Sequence, residues 1–224
     1  MSEEVTSMLE NWNISGLILE GISGTGKTTI LHALTRSERF IQNSAIVLSE
    51  HHTQRVLERK EREEGLVVAD NVQLLEQHVS YLESLRDRLH QMDWRQNNRT
   101  NMRVPYLLER FHFTHVCHYV HMSWPDVEEI DCRLATLNCK VCLLTMDKAM
   151  IEQRVIHERD AAWRNYLRRY GETDEEIVDY YAGQQEMMCD LCAKSALDTL
   201  IVDTTGTDIS RSTEKIMDFW SSAF

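Results

Sequence analysis

Residues 21–28 read Gly21-Ile22-Ser23-Gly24-Thr25-Gly26-Lys27-Thr28, and they satisfy the pattern G-x-x-x-x-G-K-[ST] at every fixed position. Residues 16–20 before this stretch form a short apolar run that predicts a buried strand, and residues 29–34 after it predict a helix. Glycines in such a loop let the backbone N–H groups turn inward, so that they form an anion site at the helix N-terminus. The sequence therefore predicts a phosphate-binding loop between a strand and a helix.

The residue types within this loop indicate a nucleoside triphosphate with a divalent cation. Lys27 would reach the β- and γ-phosphates, and the hydroxyl of Thr28 would bind magnesium. We therefore expect ATP and Mg²⁺ as the ligands, and the alternative is a glycine-rich turn that binds none. The residues predicted to bind the nucleotide are Gly21, Ser23, Gly24, Thr25, Gly26, Lys27, Thr28 and Thr29.

The length and charge of the chain favour one intracellular domain. A chain of 224 residues can bury one α/β core, and we expect residues 1–224 to form a single domain with a mobile insert. Its 24 Lys+Arg and 36 Asp+Glu give a net charge of −12, which repels DNA, RNA and acidic membranes. We find no pattern of a signal peptide or membrane span, and the six cysteines are best explained as reduced thiols. A cytoplasmic location is expected, without long nucleic acid or membrane as a partner, and a homodimer is left open.

Four further apolar runs alternate with helical patterns. They are residues 44–50, 104–109, 141–146 and 200–203. Continuous apolar runs suit parallel strands covered on both faces, so the sequence predicts an α/β fold with an open, mostly parallel sheet of five strands. Residues 70–92 predict a long amphipathic helix with Asp70 as its N-cap, and the amide-rich residues 94–101 predict a loop.

Polar residues at the ends of these runs are the candidates for chemistry, because ligands of open parallel sheets lie beyond the carboxyl ends of the strands. Three carboxylates qualify, namely Glu50, Glu109 and Asp203. Arg110 directly follows Glu109, where its guanidinium could hold a phosphate or pair with a carboxylate. The alternative for Arg110 is a structural salt bridge.

The pair Glu109-Arg110 resembles the Glu-Arg signature of deoxynucleoside kinases, and thymidylate kinases have Asp-Arg at that place. Glu50 is similar to the deoxynucleoside-kinase glutamate that accepts the proton of the attacking sugar hydroxyl, and residues 154–168 lie where those kinases have a lid with arginines. The resemblance implies a three-layer P-loop NTPase fold, with a five-stranded parallel sheet flanked by helices and a helical lid at about residues 148–170. With the loop, it implies Lys27, Glu50, Arg110, Arg154 and Arg159 as catalytic residues and Thr28 and Glu109 as metal ligands.

The chain departs from this kinase pattern in two places. Residues 111–115 follow the Glu-Arg pair with aromatic and histidine side chains instead of the usual serine, and Arg154 and Arg159 lie farther apart than the arginines of the family lid. For the arginines of residues 154–168, the alternative is a solvated helix face with ion pairs such as Arg154 with Glu158. The identity of the acceptor is therefore less constrained than that of the triphosphate.

Histidine recurs at every third position from residue 112 to residue 121, which places neighbouring side chains on one helix face. Zinc needs ligands that converge from other elements, and no partner pair is identifiable, so these histidines are not assigned to a metal. Cys139 and Cys142 would point to opposite faces of a strand, whereas Cys189 and Cys192 on a helix are best explained as core thiols. The aromatic residues that could stack on an acceptor ring, with core packing as the default, are Trp94, Tyr106, Phe111 and Phe113.

These features predict a small-molecule kinase that transfers the γ-phosphoryl group of ATP to a hydroxyl of a nucleoside or to the phosphate of a nucleotide. A second hypothesis is an ATPase or nucleotide switch that acts on a protein partner. It ranks lower because none of the predicted strands ends in adjacent acidic residues. A third hypothesis retains the kinase chemistry with a non-nucleoside acceptor.

Overall fold

The computed structural model describes residues 14–37, 40, 45–91, 104–206 and 208–221. Within them, five strands form one sheet in which every pair is parallel. The strands are β1 (Ile14–Glu20), β2 (Ile46–Leu48), β3 (Val104–Glu109), β4 (Cys139–Thr145) and β5 (Asp198–Asp203). Their order is β2-β3-β1-β4-β5, so the strand that precedes the glycine-rich loop is central. The predicted α/β class and parallel sheet are confirmed, whereas the predicted loop at 94–101, with Trp94, lies outside the described residues.

Helical segments connect the strands. The α-helices of the described residues are α1 (Lys27–Thr35), α2 (Glu50–Thr53), α3 (Glu58–Glu63), α4 (Val68–Gln91), α5 (His112–His118), α6 (Glu128–Thr136), α7 (Lys148–Ile151), α8 (Ala161–Leu167), α9 (Asp174–Lys194) and α10 (Ile209–Ser221). A π-helix (Glu152–His157) joins α7 to the turn before α8, so the segment predicted as a lid is helical. In the part of the chain that the structure describes, none of these helices has the length and apolar character needed to span a membrane.

Helices cover both faces of the sheet, because alternate residues of each strand point to opposite sides. On one face, Leu17 and Leu19 pack against α1 and α10, and the indole N–H of Trp220 in α10 donates to the hydroxyl of Ser15 at 3.1 Å. On the other face, Ile18 packs with apolar residues of α4, α5, α6 and α9. Each fully buried aliphatic side chain contributes about 1.5–3 kcal/mol. The result is the predicted three-layer arrangement.

Gly16 allows the close packing of β1 against its neighbour β3. It lies opposite Tyr106 in the parallel register, and a Cβ built at Gly16 would lie 2.0 Å from Cζ of the Tyr106 ring. Tyr106 is fully buried, and its hydroxyl donates to the carbonyl of Leu137 at 3.2 Å. The ring therefore lies over β1 at a position that has room for no side chain.

Several boundaries differ from the sequence-based expectation, and two of these differences concern acidic residues. β2 has three residues instead of residues 44–50, and among the described residues it is an edge strand that pairs only with β3. Glu50 begins α2 instead of ending the strand. Asp70 is not an N-cap, because α4 already begins at Val68. The carboxylate of Asp70 instead accepts the backbone N–H of Val67 at 3.0 Å and pairs with Lys60. An acid in the first turn thus stabilises the helix start from inside the helix.

We predict that Gly16→Ala lowers the free energy of unfolding by about 1–3 kcal/mol, because the added methyl group must displace the buried ring of Tyr106. Denaturant unfolding followed by circular dichroism measures this change. The matched control is Gly183→Ala in α9, where an added Cβ meets no atom of the described residues within 4 Å and the substitution favours the helix. Equal stability of the two variants would contradict the close contact between β1 and Tyr106.

Candidate functional site

The loop after β1 has the backbone shape that its glycines predict. Gly21, Gly24 and Gly26 have φ values of 140°, 84° and 85°, in the left-handed region that favours glycine. Gly26 is the N-cap residue of α1, and the Thr25 hydroxyl closes the turn by donating to the carbonyl of Ile22 at 2.9 Å. The loop therefore precedes a helix N-terminus without a side-chain cap, where backbone N–H groups attract anions.

The ammonium group of Lys27 lies inside this loop. It donates to the carbonyls of Gly21 at 2.6 Å and Ile22 at 2.7 Å, and the side chain is buried. Burial lowers the pKa of Lys27 well below its usual value, and the charge of Arg110 lowers it further, while the surrounding carboxylates act in the opposite direction. A phosphate near the loop would stabilise the charged form of this lysine.

Thr28 and Glu109 meet at the carboxyl edge of the sheet. The hydroxyl of Thr28 donates to Oε1 of Glu109 at 3.0 Å, and Glu109 is 1% exposed. The backbone N–H of Glu50 donates to the other carboxylate oxygen of Glu109 at 3.4 Å. A hydroxyl and a carboxylate at this distance are the hard oxygen donors that suit Mg²⁺, so the two predicted metal ligands are adjacent.

Arg110 connects the two sides of the site. Its Nε lies 2.7 Å from Oε2 of Glu50, and one terminal nitrogen donates to the hydroxyl of Ser23 in the loop at 3.4 Å. Burial raises the pKa of the Glu50 carboxyl, but the charges of Arg110 and Lys27 outweigh it, and the pKa is lowered overall. Glu50 is therefore ionised at neutral pH. The third strand-end acid, Asp203, instead accepts from Thr205 and does not line the cleft.

Glu20, the last residue of β1, was not predicted as part of the site. It is completely buried, and its Oε1 accepts the backbone N–H groups of Phe111 at 2.9 Å and Phe113 at 3.1 Å. Arg110, which precedes Phe111 in the chain, has a φ of 54°, which is uncommon for a residue with a side chain. The sequence did place this carboxylate of Glu20 directly before the first glycine of the phosphate-binding loop. The residues that it contacts, however, lie more than 90 positions away along the chain.

The two predicted lid arginines have different surroundings. Arg154 is 8% exposed and donates to the carbonyls of Thr204 at 2.9 Å and Thr205 at 2.6 Å, so it ties the π-helix to the turn after β5 instead of forming the ion pair considered with Glu158. Arg159 lies over the ring of Trp163, 5.7 Å from its centre. Both arginines line a cleft beside the phosphate-binding loop, but the guanidinium of Arg159 is less constrained.

A cleft of about 1540 Å³ opens beside the loop, between α2–α3 and the segment from the π-helix to α9. Seven basic and five acidic side chains line it, so its charge balance is opposite to that of the whole chain. The basic residues are Lys27, Arg55, Arg62, Arg110, Arg154, Arg159 and Arg169. Aromatic rings form much of the remaining wall, namely Tyr119, Trp163, Tyr166, Tyr170, Tyr180 and Tyr181. Such a cleft suits an anionic ligand with an organic ring system.

Two histidines of α5, His112 and His115, form hydrogen bonds within the protein. His115 is completely buried, with Nε2 2.8 Å from the carbonyl of Thr53 and Nδ1 2.9 Å from the amide of Asn71. His112 Nε2 lies 2.9 Å from Asp131. Among the described residues, the group with a metal-binding geometry is elsewhere, at the surface residues Glu152, His157 and Asp174.

The cysteines and aromatic residues for which the sequence favoured core packing belong largely to the core. Cys139 and Cys142 lie in the apolar clusters on opposite faces of the sheet, as the alternation of strand residues predicts. All six cysteines are free thiols. The residues that form the core beside α4 include Tyr106, Phe111 and Phe113.

Comparisons with known proteins support the fold. No protein-family model and no curated protein matches this chain. Thymidylate kinase from Ehrlichia chaffeensis is similar in structure, with a TM-score of 0.52 and 14% sequence identity, and the match covers 93% of this chain and 99% of that one. The YorR protein from Bacillus subtilis, solved in complex with phosphorylated GDP, is similar with a TM-score of 0.54 and 14% identity, over 92% of this chain and 95% of that one. The chain therefore has the fold of P-loop nucleotide kinases, as the sequence resemblance implied.

We predict that the protein loses stability as the pH falls from about 6.5 to about 4, partly through His115. Burial lowers the pKa of His115 from its ordinary value of 6.5 to about 4, so the unfolded chain binds the proton first. The contribution is complete above pH 6.5 and decreases below it, by at most about 1.4 kcal/mol per pH unit for one group. Thermal melts between pH 7.5 and 5 should show a smaller acid-dependent loss for His115→Gln than for the unmodified protein.

The matched control for this prediction is His32→Gln, which replaces an exposed histidine of α1. Its melting temperature should follow that of the unmodified protein across the same pH range. Parallel curves for all three proteins would contradict the assignment of a neutral, buried His115.

Proposed function

We propose that this protein is an ATP-dependent phosphotransferase that transfers the γ-phosphoryl group to a hydroxyl or phosphate of a nucleoside or nucleotide. The observation that carries the proposal is the position of Arg110, which contacts Glu50 on one side and Ser23 of the phosphate-binding loop on the other. A carboxylate and a guanidinium thus lie beside the loop, at the floor of a cleft large enough for two ligands.

In this proposal the residues divide the chemistry between them. The loop binds the triphosphate through its backbone N–H groups and Lys27. Glu50, ionised because Arg110 and Lys27 lower its pKa, accepts the proton of an acceptor hydroxyl as the oxygen bonds to the γ-phosphorus and ADP leaves. Lys27, Arg110 and a lid arginine, Arg159 or Arg154, stabilise the charge of the transferring group.

Thr28 and Glu109 are the residues that would hold Mg²⁺, directly or through water. The ion would neutralise phosphate charge and orient the β- and γ-oxygens. The 3.0 Å contact between the two side chains and the burial of Glu109 favour this pair over an exposed acid such as Asp203. We also propose that residues 1–224 act as one domain, with residues 148–170 as the lid.

Because residues 111–115 depart from the kinase pattern, they do not define the identity of the acceptor. The first experiment is therefore a screen for the acceptor. Release of ADP from ATP is measured with nucleosides, nucleoside monophosphates and other small alcohols as acceptors. One acceptor should stimulate ADP release strongly. Hydrolysis that no small molecule stimulates, but that a protein partner does, would replace the kinase proposal with the nucleotide-switch hypothesis.

We predict that Lys27→Ala and Glu50→Gln each lower kcat with the identified acceptor by at least about 100-fold, because each removes a group assigned to the reacting atoms. Lys27→Ala should also weaken ATP binding, measured by calorimetry, whereas Glu50→Gln should not. The control is Lys194→Ala at the exposed C-terminal end of α9, outside the cleft. A fully active, folded Lys27→Ala variant would overturn the assignment of the loop.

The lid arginines provide a paired comparison. We predict that Arg159→Ala lowers kcat by about tenfold or more, since its guanidinium lines the cleft and, among the described residues, contacts the ring of Trp163. Arg164→Ala is the matched control, because this exposed arginine of α8 lies outside the cleft lining. Steady-state kinetics with saturating ATP and acceptor measure the difference. Equal kcat values for the two variants would remove Arg159 from the catalytic set.

A further inference from the structure

The buried carboxylate of Glu20 holds the chain that directly follows Arg110, the residue with φ of 54°. Its Oε1 accepts the N–H groups of Phe111 at 2.9 Å, Phe113 at 3.1 Å and Thr114 at 3.4 Å, and its Oε2 accepts the hydroxyl of Thr114. No lysine or arginine forms an ion pair with Glu20 among the described residues. The negative charge is therefore stabilised by the N-terminus of α5 and by hydrogen bonds from it.

This interaction replaces the missing cap of α5. The N-cap residue Phe111 has no side chain that could accept a hydrogen bond, so the first N–H groups of the helix need an acceptor from elsewhere. Glu20 supplies it from β1. The start of α5 is thereby fixed to the last residue before the phosphate-binding loop.

Arg110 is held between two contacts to the end of β1. Its own N–H donates to the carbonyl of Leu19 at 3.0 Å, and the next N–H, of Phe111, donates to Glu20. Between these two contacts Arg110 adopts φ of 54°, a conformation that persists only where the surroundings determine it. The guanidinium then reaches Glu50 and Ser23.

We propose that Glu20 is a positioning residue whose carboxylate keeps Arg110 in its left-handed conformation and so directs the guanidinium between Glu50 and the phosphate-binding loop. Glu20 directly precedes the loop in the chain and does not line the cleft, so it acts through Arg110 and not on a ligand. This inference rests on the proposed phosphotransferase function for its kinetic consequence. Its structural part, the dependence of the Arg110 side chain on Glu20, stands independently.

The kinetic test is a double-mutant cycle with Glu20→Gln and Arg110→Ala. Glu20→Gln keeps an oxygen acceptor but removes the charge, and a displacement of about 1 Å at Arg110 is expected to lower kcat by about 10- to 100-fold while KM for ATP changes by less than about twofold. In the Arg110→Ala background, Glu20→Gln should have no further effect on kcat. Multiplicative effects of the two substitutions, or an unchanged kcat in Glu20→Gln, would overturn the proposal.

Asp131→Asn is the matched control for a merely structural role. Asp131 is also a buried carboxylate, 1% exposed, and it also holds α5, through the side chain of His112 at 2.9 Å, but it makes no contact with the backbone beside Arg110. It should lower the melting temperature as Glu20→Gln does and change kcat by less than about twofold. An equal loss of kcat in both variants would reduce Glu20 to a stabilising residue and overturn the proposal.

A readout without turnover separates this inference from the proposed function. The Nε–H resonance of Arg110 is assigned in a ¹⁵N-labelled sample by its loss in Arg110→Ala. In Glu20→Gln it should move toward the position of exposed arginines, whereas in Asp131→Asn it should stay. If no acceptor stimulates the unmodified protein, the function fails while this measurement still decides the role of Glu20. An unmoved resonance in Glu20→Gln would refute the positioning role whatever the kinetics show.

Discussion

The arrangement of the site depends on the pairing of β1 with a neighbour on each side. Leu19 lies opposite Glu109 in the β1–β3 register, and Glu20 lies opposite Leu143 in the β1–β4 register, so the strands end at one edge. Parallel pairing of buried strands leaves little freedom in register, because a shift by one residue would turn every apolar side chain to the other face. Gly16 fixes this pairing further, since its lack of a side chain leaves room for the buried ring of Tyr106.

The charges at this edge stabilise one another in a region with little water. Lys27, Glu109 and Glu20 are all less than a tenth exposed, and each contacts backbone groups or a neighbouring side chain of the site. Removing one partner of such a buried set leaves an uncompensated charge, which costs about 3–5 kcal/mol. The net charge of −12 therefore does not describe the local charge at this edge, because cationic groups outnumber acidic ones along the cleft. Repulsion of long polyanions and attraction of a small anion are compatible in the same molecule.

The sequence was informative where the determinants are local. The glycine-rich loop and the apolar strands depend on neighbouring residues, and residues 104–109 form β3 as predicted. Boundaries that depend on a tertiary partner were wrong, as at Glu50, which begins a helix because the edge strand β2 ends early. Glu20 was not predicted because its partners lie at the start of α5, far along the chain. The contact of Arg154 with Thr204 was not predicted because it joins residues 50 positions apart. Contacts of that separation are set by topology, which single-residue patterns do not encode.

Residues 148–170, the segment proposed as the lid, are held by contacts of unequal strength. Val155 of the π-helix and Leu167 of α8 pack with Ile22 of the phosphate-binding loop in a small apolar cluster. At its far end, Arg169 crosses to α3 through an ion pair with Glu61 at 3.6 Å, in which the side chains are 48% and 31% exposed. Such an exposed pair contributes about 0–1 kcal/mol, whereas each buried aliphatic side chain contributes about 1.5–3 kcal/mol. The apolar cluster therefore contributes more to holding this segment than the ion pair does, and because the cluster includes Ile22, the position of the segment depends on the phosphate-binding loop.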